Sequence, residues 1–212
     1  MNYEAAKRVI DIVGAIILLI IFSPVILFTA IAIKLTSPGP ILADTPKRVG
    51  KNGKLFHHLK FRSMIVNAHQ LIRKDPKFKN LYEELKRSSY KLHKDPRVTP
   101  VGKFIRRHSI DEVPQLINVL KGEMSIVGPR PYFPDELKEQ QKKIPGTEKY
   151  VKETLTVKPG ITGFWQVSGR SEVAFDKRIE MDAYYARKKS LILDFLILLK
   201  TPWAMISGKG AA

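Results

Sequence analysis

The apolar positions of this chain form one long run and several short periodic ones. Residues 12–33 are almost wholly apolar, interrupted by Ser23, Pro24 and Thr29. A helix over that run, about 22 residues at roughly 1.5 Å each, can just cross a hydrocarbon core of about 30 Å. The run is too long for a cleaved signal peptide. A plain transmembrane span is one reading, and two features favour another. Proline in a helix interior removes a hydrogen bond and clashes with the preceding turn, so Pro24 predicts a sharp kink. Ser23 is placed to cap the carbonyls freed there. Basic residues also flank both ends, with Lys7 and Arg8 before the run and Lys34, Lys47 and Arg48 after it. The positive-inside tendency then puts both ends on the cytoplasmic side. A helix-break-helix hairpin that enters one leaflet and returns satisfies both features, with the bend protected by Ser23 or by protein.

Beyond Lys34 the pattern shortens. Thr36-Ser37-Pro38-Gly39-Pro40 ends the membrane helix, and residues 49–54 read as a hairpin turn. Residues 55–62 are strand-like: Phe56, His58, Lys60 and Arg62 share one face, and Leu55, His57, Leu59 and Phe61 the other. Residues 64–92 predict polar helices interrupted at Asp75-Pro76, and Asp95-Pro96-Arg97 predicts a turn. Helices are expected over residues 134–143, 175–189 and 191–206. The last is too apolar for a lone surface helix; packing in the core and lying in the membrane interface are equally open. The expected fold is mostly α with a few short β-strands. A re-entrant membrane hairpin over residues 1–36 precedes a compact cytoplasmic catalytic domain over residues 37–212.

Charge changes the picture next. The 37 Lys and Arg against 20 Asp and Glu give a net charge of +17 over 212 residues. That excess suits nucleic acid, anionic lipid headgroups or a phosphorylated substrate without choosing among them. The chain has no cysteine, which excludes disulfides, thiolate catalysis and Cys-based zinc sites.

Two adjacent carboxylates stand out against this basic background. Asp111 and Glu112 follow the pair Arg106-Arg107. Ser109-Ile110-Asp111-Glu112 also matches a capping box, in which Ser109 caps a helix and Glu112 reaches back. Pro114 complicates that register, because proline prefers the first helical turn, so Asp111 is an alternative cap. In either register both acids lie at a positive helix end that also attracts phosphate. Adjacent helical residues point about 100° apart, so separate roles suit them better than a shared proton. One would be nucleophile or base, and the other would hold a divalent cation. Lys60 and Arg62, with Arg106 or Arg107, could clamp a diphosphate. Gly128-Pro129-Arg130-Pro131 holds Arg130 stiffly, as a ligand contact or as a plain turn.

These residues together resemble the bacterial sugar transferase family, the monotopic polyprenyl-phosphate phosphoglycosyl transferases. The likeness runs from Lys7-Arg8-Val9-Ile10-Asp11 and the Ser23-Pro24 break through Lys60-Phe61-Arg62-Ser63-Met64 and Ser109-Ile110-Asp111-Glu112-Val113-Pro114-Gln115. It continues through Gly128-Pro129-Arg130-Pro131 and Lys158-Pro159-Gly160-Ile161-Thr162-Gly163 to Trp165-Gln166-Val167-Ser168-Gly169-Arg170. The enlarged stretch 65–94 and the Trp165–Arg170 motif look more like the hexose-1-phosphate transferases. Members of that group often carry a further multi-span membrane domain, which this sequence does not include. Ala43-Asp44-Thr45-Pro46 departs from the family pattern, where a Gln often precedes the Arg-Val-Gly motif.

The resemblance implies that a UDP-sugar, UDP-glucose or UDP-galactose, is attacked at its β-phosphorus. UMP leaves, and the phosphosugar passes from the enzyme to undecaprenyl phosphate, as a first membrane step of glycan assembly. It implies Asp111 as nucleophile and Glu112 as ligand of Mg2+. Lys60, Arg62, Arg106, Pro129, Arg130 and Arg170 are the implied substrate contacts, and Ser23 and Pro24 the membrane break. Its expected partners are UDP-sugar, polyprenyl phosphate and membrane lipids, with no nucleic acid; a homodimer is compatible with it. The expected location is the cytoplasmic face of the bacterial inner membrane. The competing reading from charge alone is a membrane-tethered module that binds nucleic acid or an anionic surface. That reading would need stacking aromatics interleaved with the basic residues, and the aromatics here are scattered.

Overall fold

The computed structural model describes residues 2–87, 92, 95–168 and 173–206. Helices α1 (Tyr3–Ile21) and α2 (Ser23–Thr36) meet at Phe22 and are bent by 61°. Asn2 caps α1 by accepting the Ala5 N–H at 2.9 Å. Pro24 falls at the first turn of α2, where a missing N–H costs nothing. Ser23 Oγ donates to the Ile20 carbonyl at 2.7 Å, as the expected cap does. The result is an open V, wider than a closed hairpin. No single helix among the described residues is long and apolar enough to cross a membrane, whereas the bent pair passes that test together.

One face of α1 belongs to the core. Ala15 is buried with Phe56, Leu116, Val119 and Met124, and Leu18 and Leu19 pack against them. Arg8 donates to the carbonyls of Val119 and Leu120, and Asp11 accepts from Ser125 Oγ and the Ile126 N–H. The opposite face is bare: Ile16, Ile17, Ile20 and Ile21 are exposed, as are Leu27, Phe28, Ile31 and Leu35 of α2.

The strands are minimal. β1 (Arg48–Val49) pairs antiparallel with β2 (Leu55–Phe56) across the expected turn, in which Asn52 and Gly53 adopt positive φ. The strand expected over residues 55–62 shrinks to β2, followed by extended chain with a lone bridge from Leu42 to Phe61. Its face pattern survives in part, since Phe56, His58 and Arg62 are buried and Leu55 and His57 exposed. Helix α6 (Gln115–Lys121) takes the place of a partner strand. Its buried Asn118 accepts the Leu59 N–H at 3.0 Å and donates to the His57 carbonyl at 2.8 Å.

The polar stretch forms α3 (Ala68–Lys74) and α4 (Lys79–Arg87), separated at Asp75-Pro76 as expected. After α5 (Pro100–Arg107) and α6 comes β3 (Ser125–Val127), which pairs in parallel with β4 (Gly160–Thr162). Between them lie α7 (Pro134–Lys143) and α8 (Glu148–Thr154), the crossover that a parallel pair needs. Beyond each strand, backbone meets backbone. A Cβ on Gly160 would sit 2.0 Å from Gly128 N, and one on Gly163 2.1 Å from Gly128 O, so glycine is required at both.

Helices α9 (Phe164–Ser168), α10 (Phe175–Lys188) and α11 (Leu191–Ile206) complete the described fold. The core-packing expectation for the last helix is met on one face, and its other face is bare. Ile197 and Asp194 are buried, and Asp194 accepts from Tyr3, Lys7 and Tyr185. Ile192, Phe195, Leu199 and Trp203 are exposed.

Candidate active site

Thr99 opens α5 by accepting the Gly102 N–H at 2.9 Å, and the last turn of α5 carries Arg106 and Arg107. The chain then reverses at Ser109, whose φ of 55° is left-handed, into a single 3-10 turn, Ile110–Glu112. This corrects the capping-box expectation. Ser109 makes no cap hydrogen bond, and Glu112 turns to Lys60 instead of reaching back. A fixed ammonium outcompetes a local N–H for a carboxylate, because a charge-assisted bond is the stronger.

Lys60 bridges the two acids. Its Nζ lies 2.6 Å from Glu112 Oε1 and 3.6 Å from Asp111 Oδ2. Two clamps hold it there: Asn118 grips the chain at His57 and Leu59, and the Phe61 N–H donates to the Asp111 carbonyl at 2.9 Å. Asp111 is buried and Glu112 half-buried, so the two carboxylates occupy different environments, as separate roles require.

Their electrostatics diverge accordingly. Burial pushes the Asp111 carboxyl above the usual carboxylate range; Lys60 and Arg106 pull against that, and the Glu112 charge adds to it. Burial also works against the Glu112 charge. There Lys60, Arg130 and the Gln115 side chain outweigh it and hold the carboxyl below its ordinary range. Asp111 is therefore the more basic oxygen and Glu112 the more firmly ionised one.

Cations crowd behind the pair. Pro129 is buried and Arg130 half-buried, on the loop fixed by the Gly128–Gly160 contact; the Pro129 carbonyl accepts the Gly160 N–H at 2.8 Å. Sequence reasoning missed two neighbours. Arg48 stacks 3.2 Å from the Phe133 ring, and burial together with the Arg130 charge lowers its pKa. His58 is 4 % exposed and is kept neutral by burial and by Lys60 and Arg48, against a polar contact with the Gln115 side chain. Its place on the Lys60 face was the signal that could have found it. A buried base whose charged form is disfavoured by the cations beside it marks a place where an anion would be stabilised.

Further buried polar atoms lie around Arg130. Arg178 Nε, Asp182 Oδ1 and Trp165 Nε1 have no hydrogen-bond partner among the described residues, and Arg178 Nη1 meets Glu136 Oε1 only as a loose ion pair at 3.9 Å. Asp182 accepts from the Tyr132 hydroxyl at 2.8 Å and the Arg130 N–H at 3.4 Å, and burial pushes its carboxyl up to about 7.

Not every expected contact joins the site. Arg106 stands close enough to influence Asp111. Arg62 spends its guanidinium on the turn after α2, donating to the carbonyls of Ser37, Pro38 and Pro40 and to Ser37 Oγ. It staples the bent helix pair to the body and is not brought to the carboxylates. Arg170 lies outside the described residues.

No group of three or more His, Cys, Asp or Glu able to hold a metal occurs among the described residues. Two adjacent carboxylates still suit magnesium, which takes one or two together with substrate phosphate oxygens and water.

Comparison with known proteins adds the following. Residues 2–208 match the pattern of the bacterial sugar transferase family. The chain is 42% identical to the undecaprenyl-phosphate galactose phosphotransferase of Salmonella typhimurium, over 97% of this chain and 41% of that protein. It is 39% identical to the undecaprenyl-phosphate glucose phosphotransferase of Komagataeibacter xylinus, over 92% of this chain and 35% of that protein. It is also 39% identical to the exopolysaccharide production protein ExoY of Sinorhizobium fredii, over 97% of this chain and 88% of that protein. The chain thus spans less than half the length of the first two relatives.

Proposed function

Because the chain belongs to the bacterial sugar transferase family, we propose that it moves a sugar-1-phosphate from a UDP-sugar to undecaprenyl phosphate and releases UMP. UDP-galactose and UDP-glucose are the donors its relatives' names favour. The observation that carries this reading is the Lys60 ammonium set between Asp111 and Glu112 in cation-rich surroundings. An Asp111 oxygen forms a bond to the β-phosphorus of the donor while the bond from that phosphorus to the bridging oxygen breaks. UMP leaves with the electron pair. A phosphate oxygen of undecaprenyl phosphate then attacks the same phosphorus, and Asp111 departs as a carboxylate.

The raised basicity of Asp111 supports the nucleophilic role. Lys60, Arg130 and Arg48 are the cations that would receive the donor's phosphates. Glu112, firmly ionised and half-buried, would hold Mg2+ together with diphosphate oxygens. Bound there, the ion neutralises charge gathering on the leaving phosphate. With magnesium, the purified chain is expected to release at most one UMP per chain from UDP-galactose or UDP-glucose, and to release it repeatedly only when a polyprenyl phosphate is also present. Release of UDP would mark an ordinary glycosyl transferase. Oligonucleotide binding without UMP release would mark the polyanion-binding module instead.

We also propose that α1 and α2 dip into the cytoplasmic leaflet of the bacterial inner membrane and return, with the bare face of α11 lying in its interface. Support comes from the exposed apolar faces, the Ser23 cap and the 61° bend. An Asn2→Cys variant tests it, since the chain has no native cysteine to confuse labelling. The thiol is expected to react only from the cytoplasmic side; reaction from outside would establish a true span.

A further inference from the structure

A small cavity of about 30 Å³ lies beneath the start of α1. Its charged lining is Glu4, Lys7, Arg8, Asp11, Lys158 and Lys189. Most of these charges are already used. Lys7 pairs with Asp194 at 2.8 Å, and Lys189 pairs with Glu4. Asp11 accepts from Ser125 Oγ and the Ile126 N–H, both at 2.9 Å.

Two cations remain without a salt bridge among the described residues, although Asp11 and Glu4 attract Lys158 from a distance. Arg8 donates only to carbonyls, those of Val119 at 2.6 Å and Leu120 at 2.8 Å. Lys158 has no hydrogen bond or ion pair among the described residues. The two converge: Arg8 Nη2 and Lys158 Nζ each lie 3.6 Å from where a Gly122 Cβ would stand. Burial and the nearby Arg8 charge weaken the hold of Lys158 on its proton more than Asp11 and Glu4 strengthen it. Two half-buried like charges facing one another cost stability unless an anion joins them. The cavity has room for about two water-sized oxygens, which matches the two free oxygens of a phosphodiester.

Its position says which phosphate. Arg8 is followed by the exposed Val9 and Ile10, at the head of the bare face of α1. Lys189 stands just before Leu191 and Ile192, where the bare face of α11 begins. The cavity therefore lies where two basic residues give way to two apolar faces. If those faces sit in hydrocarbon, this is the level of the lipid phosphates. It is also separate from the carboxylate pair. Arg8 holds the C-terminal end of α6, whereas Asp111 and Glu112 precede its N-terminal end, seven residues or about 10 Å away.

We propose that this cavity binds the phosphate of an anionic membrane phospholipid, with Lys158 and Arg8 as its ligands. The proposal rests on the membrane placement of α1 and α11 given above. The test uses the full chain with vesicles of phosphatidylcholine alone or mixed three to one with phosphatidylglycerol. The wild type should float with both, and phosphatidylglycerol should strengthen its binding and raise its melting temperature. Lys158→Gln should still float with both but lose about fivefold of the phosphatidylglycerol-dependent affinity, the share of one basic residue near an anionic surface. Lys177→Gln removes an equal charge from α10 and should retain the full effect. In detergent alone Lys158→Gln should melt at or above the wild-type temperature, because it removes an unpaired cation beside Arg8.

Flotation with both vesicles but no added effect of phosphatidylglycerol would overturn the headgroup site and leave the membrane placement standing. Flotation with neither would overturn both. Equal stabilisation by millimolar inorganic phosphate, lost in Lys158→Gln and matched by no lipid effect, would assign the cavity to a soluble anion.

Discussion

Asp111→Asn is expected to abolish UMP release while leaving the fold intact. An amide cannot form the acyl phosphate, and loss of a covalent nucleophile costs at least about a thousandfold in turnover. The same substitution should not lower stability. Burial raises the Asp111 carboxyl, so its ionised form is penalised in the folded state. That penalty grows as pH rises through the unfolded value, and neutral Asn removes it. At neutral pH the variant should melt at or above the wild-type temperature. Near-normal UMP release by a well-folded variant would remove Asp111 from the covalent role; inactivity with a collapsed melting curve would leave only a structural one.

The second large effect is expected at Lys60. Lys60→Met deletes the cation that, among the described residues, touches both carboxylates. A loss of about 10² to 10³ in kcat/KM is expected, the usual scale for removing one preorganised charge donor from an active site. A pH profile distinguishes this from simple misfolding. Glu112 is ionised below its ordinary range because Lys60 leads the influences opposing burial. Without Lys60 its pKa rises, so at a given acidic pH less of it is ionised. The acid limb of the activity profile should therefore move to higher pH. An unmoved limb with unchanged kcat/KM would show that the bridge serves only the fold and has no part in the chemistry.

Much of the helical frame could be read from local signals. Residues 134–143 begin with Pro134, carry Asp135 and Glu136 in the first turn and end on Lys142-Lys143, and α7 has those bounds. Asp75-Pro76 divides α3 from α4 because Pro76 cannot continue the first helix. The turn at Ser109 was misread because its four residues satisfy a local rule that a distant lysine overrides. The β3–β4 pair was out of reach altogether. Three-residue strands carry no usable periodicity, and their partnership depends on Gly128 and Gly160 touching across 31 intervening residues.

The site divides in the same way. Asp111, Glu112 and Lys60 announced themselves by residue type, and the structure brings them together. Arg62 shared a face with Lys60, but the carbonyls after α2 claimed it. Arg48 and His58 look unremarkable in a chain this basic. Only their burial beside Arg130 and Lys60 distinguishes them.

Helix α6 carries one more consequence. Arg8 grips its far end, Ala15 and Leu19 lie along its side, and the acids sit just ahead of its first residue. The anchor and the nucleophile are thus mounted on a common strut with no hinge between them. With α1 seated in a bilayer as proposed, the altitude of Asp111 above the lipid is set by how deep that helix rides. An acceptor must then bring its phosphate up to a fixed height, and the length of its hydrocarbon tail adds nothing to its reach. Lengthening the strut by one helical turn would shift the nucleophile by about 5.4 Å relative to that anchor, out of register with every acceptor of the same headgroup.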